Sequence, residues 1–219
     1  MQDSAGFKAL QQLGARSVPV VARGDRYVFA QVIKDVVDFL GLEDDTKPQL
    51  APAELVERYL GVLDTAIRLT RQMPNEYLER ELPNRPRSWR VLMHHVFQIP
   101  TSFLDMEDTG DTLTYENMVA APPDNLVTSA DIAAFGDSVR ERFKTWWQSA
   151  EGLDFEQQVP TYFGGACRHE MLERTVWHST QHVRQVASLL EQVDITPDRP
   201  LTAQDIQGLP LTDKVWDEP

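Results

Sequence analysis

The sequence predicts a mainly α-helical protein, a four-helix bundle preceded by a small helix–hairpin–helix appendage. From residue 52 onward the apolar residues recur at the three- and four-residue spacing of amphipathic helices. Four such segments are joined partly by long connections, which is typical of four-helix bundles. The first forty residues instead contain two short runs rich in β-branched and aromatic residues, which favours a β-hairpin.

The appendage is predicted over residues 1–45. The stretch "AGFKALQQLGA" is typical of a short helix that stops at Gly14. The runs "SVPVVA" (17–22) and "RYVFA" (26–30) then flank "RGD", a turn in which glycine can take positive φ. "AQVIKDVVDFLGL" follows and is predicted to form a helix that stops at Gly41.

The bundle is predicted over residues 54–193, after a proline-containing linker at 46–53. Helices are expected at about 52–73, from Ser88 onward, after the capping sequence "TSAD" (128–131), and at about 168–193. Pro100 should kink the second helix because its ring removes a hydrogen bond to the preceding turn. A long polar loop separates the second and third helices, and residues 194–219 form a proline-rich tail.

Composition and charge narrow the class of partner. A net charge of −13 repels nucleic acid, which binds through clustered Lys and Arg, and the chain has no basic stripe. No run of eighteen apolar residues occurs, so no membrane span is predicted. The N-terminus does not resemble a secretory signal, and a single cysteine, Cys167, fits a reducing compartment. We therefore expect a cytoplasmic protein with a small-molecule substrate.

Three of the five histidines have the spacing of a metal site. "WHSTQHVRQV" (177–186) places His178 and His182 one helical turn apart, so both ring nitrogens can bind one ion. On the second predicted helix, His95 lies about 60–70° from the middle of the apolar face, whereas His94 points to the opposite side. Three imidazoles with an open coordination position suit zinc or nickel. The alternative is an unliganded histidine pair on a partly exposed helix face.

Two stretches of the chain resemble the DinB superfamily of four-helix-bundle metalloproteins. "RSWRVLMHHVFQI" matches an S-x-R-x-L-x-x-H run on the second helix, and "HSTQHVRQV" matches an HxxxH on the last long helix. The resemblance covers about 52–193 and implies His95, His178 and His182 as metal ligands. Because the superfamily includes YfiT-like bacillithiol transferases and the metal domain of mycothiol-dependent isomerases, it also implies thiol transfer or a related detoxification reaction. Valine and arginine follow the last histidine, where many members have arginine and glycine.

The N-terminal stretch "GARSVPVVARGDRYVFAQ" resembles the second half of a glutaredoxin, and therefore of a thioredoxin fold. The resemblance implies a cis bond between Val18 and Pro19, beside backbone that holds a bound thiol such as glutathione. The redox cysteine motif of that family is absent, so thiol–disulfide exchange is not predicted. The alternative is a structural appendage that covers the bundle or an oligomer interface, and we expect a homodimer.

Three functions remain open from the sequence. Thiol transfer expects positive charge for a carboxylate-bearing thiol, from Arg174 or Arg184. A metal-dependent hydrolase expects a carboxylate or a further histidine near the metal. Glu170 and Glu173 are the candidates for orienting an imidazole, although helix-surface solvation is the competing interpretation. The third function is a non-enzymatic, dimeric interaction protein with a vestigial site.

Overall fold

The chain is mainly helical, as the sequence predicts. A computed structural model describes residues 4–15, 20–30, 32–43, 46–83 and 85–215. The chain divides into two compact units, residues 1–47 and residues 48–219. Within the described ranges, no helix has the length and apolar character needed to cross a membrane.

The first unit contains a helix, a hairpin and a second helix. Its elements are α1 (Ser4–Leu13), β1 (Val20–Arg23), β2 (Arg26–Phe29) and α2 (Ile33–Leu40), with β1 and β2 antiparallel. Gly24 in the hairpin turn and Gly41 after α2 both have a φ of 67°, a conformation that glycine adopts without strain. The predicted order of elements is therefore present. The predicted thiol-binding residues Val18 and Pro19 lie outside the described residues.

The second unit contains four long helices and two short hairpins. Its elements are α3 (Pro52–Gln72), β3 (Glu81–Leu82), β4 (Arg85–Ser88), α4 (Trp89–Thr109), α5 (Tyr115–Met118), α6 (Ser129–Gln148), β5 (Gln158–Val159), β6 (Ala166–Cys167) and α7 (Arg168–Glu191). Strand β3 pairs with β4, and β5 pairs with β6, both antiparallel. Each hairpin leads directly into a long helix, so the hairpins fix where α4 and α7 begin.

Side-chain caps explain where two of the long helices start. Ser88 Oγ accepts a hydrogen bond from the Val91 N–H at the start of α4. At the start of α6, Thr128 Oγ1 accepts from the Asp131 N–H, and the Asp131 carboxylate accepts from the Thr128 N–H. These starts confirm the predictions at Ser88 and at "TSAD". Helix α4 continues without interruption beyond Pro100.

Helices α3 and α6 pack against each other in opposite directions. Tyr59, early in α3, contacts Phe143, late in α6, with ring centroids 4.9 Å apart. Arg71, at the end of α3, forms an ion pair with Asp137 in the first half of α6. Because rising residue numbers in one helix meet falling numbers in the other, the two helices are antiparallel.

Helices α3 and α7 run in the same direction. The ring of His169, at the start of α7, donates a hydrogen bond of 2.8 Å to the carbonyl of Leu50, just before α3. Between about two and three turns further along the two segments, the Tyr59 hydroxyl lies 2.8 Å from Ser179 Oγ, and both side chains are fully buried. The two pairs advance together, so α3 and α7 are parallel.

Helices α4 and α7 are antiparallel, and this fixes the direction of all four. Glu107, late in α4, binds Arg168 at the start of α7. His95, early in α4, faces His182 in the second half of α7. Helix α4 also packs against α6, and the directions above make that pair parallel. The long helices therefore run up, down, down and up in chain order.

Because α4 and α6 run in the same direction, the chain must return along α4 between them. Residues 110–128 make this connection and are here called the crossover. Helix α5 within the crossover packs on α4. Gln98 of α4 donates to the Asn117 carbonyl at 2.9 Å, and Arg90 donates to the Leu126 carbonyl at 3.1 Å. The crossover thus covers the outer face of α4.

The C-terminal tail lies along two of the long helices. Over residues 194–215, its backbone accepts hydrogen bonds from side chains of α3 and α7. Arg68 donates to the Arg199 carbonyl at 2.7 Å, and Arg184 donates to the Asp213 carbonyl at 2.8 Å. These bonds hold the described part of the tail against the helices.

Gly136 marks a close approach of α6 to its neighbours. A β-carbon at this position would lie 2.6 Å from Phe97 Cζ and 3.0 Å from Ile67 Cγ1. We expect Gly136→Ala to lower the free energy of unfolding, measured by urea denaturation, by about 1–3 kcal/mol because the core is already filled. Gly61→Ala in α3 is the control, since a β-carbon there would have no neighbour within 4 Å apart from the adjacent backbone of its own helix, and alanine favours the helix. Equal stability of the two variants would contradict the prediction.

Candidate metal centre

Three histidines from two helices meet in the second unit. The ligand atoms of His95, His178 and His182 all lie within 4.8 Å of one another. Their ring centroids are 5.0 to 5.4 Å apart. His178 and His182 share one face of α7 because they are four residues apart, and the antiparallel α4 places His95 opposite them. The structure thus brings together the three residues that the sequence singles out.

His94, the neighbour of His95, lies on a different face of α4. Its ring stacks on Phe135 of α6, with centroids 5.3 Å apart and an angle of 17° between planes. The side chain is 1% exposed, and burial and the nearby Arg90 lower its pKa to about 4. The apolar pattern of the sequence indicates one buried face of α4, and His94 is not on it. In the structure, α6 and the crossover bury other faces of α4 as well, so His94 is buried too.

Two imidazoles of the histidine cluster favour the neutral form at neutral pH. His95 and His182 are buried, and His178 is half-buried. Burial lowers the pKa of His95 and of His178 well below the usual value, and the neighbouring imidazole of His182 lowers both further. Since only a neutral imidazole has a lone pair for a metal ion, this environment favours the metal-binding form.

Two of the imidazoles are oriented by hydrogen bonds. His182 Nδ1 lies 2.6 Å from Gln185 Oε1, and a carboxamide oxygen only accepts, so Nδ1 carries the hydrogen. Nε2 of His182 therefore keeps its lone pair. The ring of His95 donates to the backbone carbonyl of Met118 in α5. Such partners fix the tautomer and ring orientation of metal-binding histidines, so the three histidines could hold a metal ion.

Gln185 gives a direct test of this orientation. We expect Gln185→Leu to weaken zinc binding about 10- to 100-fold, because His182 loses the acceptor that fixes its tautomer. The affinity can be measured by competition with a chromophoric chelator. Gln181→Leu is the control, since Gln181 donates to Thr212 in the tail. Equal zinc affinity of wild type and Gln185→Leu would contradict the proposed orientation.

An arginine lies beside the cluster on α7. Arg174, one turn before His178, lowers the pKa of that imidazole through its positive charge. The guanidinium of Arg174 packs over the ring of Phe163 at 4.7 Å. Arg184, the other arginine singled out from the sequence, instead donates to the carbonyls of Thr212 and Asp213 in the tail. Of the two predicted cations, the structure places Arg174 near the histidines.

Arg87 is a neighbour of the cluster that sequence reasoning missed. It lies on β4, two residues before α4, and its charge lowers the pKa of both His95 and His178. The sequence does not indicate that Arg87 lies near the histidines, because strands as short as β3 and β4 show no hydrophobic periodicity. The proximity of Arg87 in sequence to His95 is the one available signal.

Glu170 and Glu173 have partners at the start of α7. The Glu170 carboxylate accepts from the Cys167 N–H at 2.7 Å, and Glu173 bonds to the backbone of Gln49. His182 instead has Gln185 as a partner, and His95 has the Met118 carbonyl. Cys167 itself is buried, and burial raises the pKa of its thiol, which fits a structural role.

Glu173 should make stability depend on pH. Burial, aided by the charge of Glu170, raises its pKa from 4.5 to about 7. The folded protein therefore holds a proton that the unfolded chain has released, and stability falls as pH rises from about 4.5 to about 7.

We expect Glu173→Gln to be more stable than wild type at about pH 8, by roughly 1 kcal/mol once solvent screening is allowed for. At about pH 5 this advantage should largely vanish, because the Glu173 carboxyl is then protonated in the fold. Urea denaturation at both pH values measures it, with Glu191→Gln at the end of α7 as the control. A gain from Glu173→Gln that is the same at both pH values would contradict the assignment.

The candidate function of this chain is inferred from the geometry of its site. No protein-family model matches the chain, and no curated protein matches it in sequence. The described part of the second unit is a mainly helical body in which three histidines could hold a metal ion.

Proposed function

We propose that the second unit is a DinB-like four-helix bundle made of α3, α4, α6 and α7. The up, down, down, up order and the long crossover support this assignment. So does the placement of the candidate ligands, with one histidine on the second long helix and two on the last. The first unit is proposed to be a glutaredoxin-like half-domain, on the order of its helix, hairpin and helix.

The proposed cofactor is one zinc or nickel ion held by His95, His178 and His182. When bound, the ion supplies Lewis acidity that lowers the pKa of a thiol or polarises a substrate oxygen at its open coordination position. Gln185 holds His182 in the tautomer that binds through Nε2, and Met118 orients His95. His178 is the least buried of the three, so the open position is proposed to lie on its side.

The proposed reaction is S-transfer from a low-molecular-weight thiol such as glutathione. The sulfur forms a bond to an electrophilic carbon of the acceptor, the bond from that carbon to its leaving group breaks, and the thiol proton passes to solvent or to the departing group. The observation that carries this choice is the positive charge of Arg87 and Arg174 beside the histidines, which suits a thiol that bears carboxylates. Hydrolysis would favour a carboxylate there, but Glu170 and Glu173 have partners elsewhere.

A second candidate is a homodimeric interaction protein with a vestigial site. It is favoured by apolar side chains on the surface of the first unit: Phe29, Ile33 and Leu42 are exposed, and Ile33 is 61% exposed. Analytical ultracentrifugation of wild type and Ile33→Asp tests this candidate. A dimer that the substitution converts to a monomer would support it.

The experiment for the metal-dependent transferase begins with protein purified without an affinity tag. Elemental mass spectrometry should find about one equivalent of zinc or nickel, lost in His182→Ala. The same two proteins are then given glutathione and an electrophilic aryl halide, and product formation is followed. Conjugation that depends on His182 and on the metal supports the proposal. Metal-free protein, even after divalent ions are added, would overturn it.

A further inference from the structure

A chain of buried hydrogen bonds links three of the long helices at the level of the histidine cluster. Ser179 Oγ of α7 donates to the Val96 carbonyl of α4 at 3.1 Å. The Tyr59 hydroxyl of α3 lies 2.8 Å from the same Ser179 Oγ. Because serine has one hydroxyl hydrogen and gives it to Val96, the Tyr59 hydroxyl is the donor in this second bond. The three residues, here called the hydroxyl chain, are at most 1% exposed.

The acceptor in the hydroxyl chain is a carbonyl that lacks its usual helical donor. In an α-helix the Val96 carbonyl would accept from the N–H of residue 100, but Pro100 has no N–H. The proline ring also crowds the carbonyl four residues earlier. A buried carbonyl without a donor costs stability, and Ser179 supplies the donor from the neighbouring helix. This replacement explains why α4 continues through Pro100 without interruption.

Ser179 differs from two other buried hydroxyl residues of α7. Thr175 Oγ1 donates to the Met171 carbonyl at 2.8 Å, and Thr180 Oγ1 donates to the Val176 carbonyl at 2.7 Å. Both bonds reach back one turn within the same helix, as is common for Ser and Thr in helices. Ser179 instead reaches across to α4, so its bond fixes a distance between two helices.

The bond between the helices lies beside the candidate metal ligands. Val96 directly follows His95, and Ser179 directly follows His178. The rings of His95 and His178 have centroids 5.4 Å apart and come from the two helices that this bond joins. A metal ion tolerates deviations of only about 0.2 Å in its ligand distances. A small slide of α4 against α7 would therefore be enough to spoil a site built from both.

We propose that Ser179, oriented by Tyr59, is a positioning residue for the metal centre: it replaces the donor that Pro100 lacks and thereby sets the spacing of α4 and α7 at the three histidines. The inference rests on the proposed metal-dependent function and adds the residues that hold its ligands at the required distance. Without Tyr59 as donor, the Ser179 hydroxyl can turn back to a carbonyl of its own helix. Without the Ser179 hydroxyl, the Val96 carbonyl loses its donor and α4 can shift.

The first test measures the zinc affinity of the full chain by competition with a chromophoric chelator. Ser179→Ala should bind zinc about tenfold more weakly, and Tyr59→Phe about threefold more weakly. Adding Tyr59→Phe to Ser179→Ala should cost no further affinity, because Tyr59 acts through Ser179. Thr180→Val is the matched control, since it also removes a buried hydroxyl from α7 but one that bonds within its own helix. Its zinc affinity should stay within about twofold of wild type.

Two further measurements separate positioning from general stability. Cobalt(II) binds the same imidazole ligands as zinc, and its visible absorption depends on its coordination geometry. The cobalt spectrum should change in Ser179→Ala and Tyr59→Phe but not in Thr180→Val. Urea denaturation of the metal-free chain tests the role of Pro100, because Pro100→Ala returns an N–H donor to the Val96 carbonyl. Ser179→Ala should lower the urea midpoint, and by at most about half as much when Pro100→Ala is also present.

The outcomes separate this inference from the proposed function. If wild type binds zinc and Ser179→Ala keeps the same affinity and cobalt spectrum, the inference is overturned and the metal centre stands. Equal weakening by Thr180→Val would also overturn it, as would a urea shift that is the same with and without Pro100. If wild type binds no zinc, the proposed function fails and the positioning role fails with it. Should Ser179→Ala not fold, Tyr59→Phe, which removes a single oxygen atom, decides by the same affinity and spectrum.

Discussion

His95→Gln removes tight zinc binding, whereas His94→Gln one position earlier retains it. The ring of His95 lies 5.0 Å from that of His182 and 5.4 Å from that of His178, so its loss leaves two candidate ligands. We expect zinc affinity to fall by at least about 100-fold, beyond the effect of removing an orienting partner. Competition with a chelator measures the affinity, and circular dichroism should show similar helical content in both variants.

Comparing His94 with His95 isolates the effect of the direction in which each side chain points from α4. His94 and His95 share a helix and nearly the same burial, but His94 stacks on Phe135 and faces away from the other two histidines. His94→Gln should cost about 1 kcal/mol of stability through lost packing and leave zinc affinity within about twofold. Equal loss of zinc in both variants, or loss in His94→Gln alone, would make the three-histidine assignment wrong.

Glu107→Ala gives the largest expected loss of stability, because it leaves a buried arginine without its carboxylate. Arg168 Nε lies 3.0 Å from both carboxylate oxygens of Glu107, and the two side chains are 10% and 5% exposed. Trp146 Nε1 also donates to Glu107, at 3.2 Å. Breaking such a pair typically costs about 3–5 kcal/mol, since one charge stays buried and uncompensated. Urea denaturation measures the loss.

Asp105→Ala, two residues earlier on α4, is the matched control. Asp105 pairs with Arg142 at 2.7 Å, but these side chains are 51% and 37% exposed, so the loss should stay below about 1 kcal/mol. Zinc affinity should be unchanged in both variants, because Glu107 lies twelve residues from His95, about 18 Å along the helix. Similar destabilisation by the two substitutions would show that burial of the Glu107–Arg168 pair is not the cause.

The helical histidine pattern could be predicted from the sequence because it is local. The spacing of His178 and His182 follows from 3.6 residues per turn, and the apolar face of α4 distinguishes His95 from His94. The helix starts at Ser88 and Thr128 are equally local, since a cap acts within three residues.

The remaining parts of the site depend on contacts between distant segments. Gln185 and the Met118 carbonyl orient the imidazoles, but a glutamine and a backbone group have no motif that marks them. Arg87 comes close only because the β3–β4 hairpin leads directly into α4. The burial of His94 follows from helix directions and from the crossover, whose polar composition predicts a solvent-exposed loop.

The crossover connects the order of a surface segment to the candidate metal centre. Met118 in α5 accepts a hydrogen bond from His95, and the Asn117 carbonyl accepts one from Gln98. A ligand that holds His95 in place therefore binds the docked form of α5 better than the undocked form. By linkage, it suppresses local opening of this segment. Backbone amides of residues 115–118 should accordingly exchange hydrogen for deuterium more slowly when zinc is bound, so the exchange rate of one short helix reports how fully the buried site is occupied.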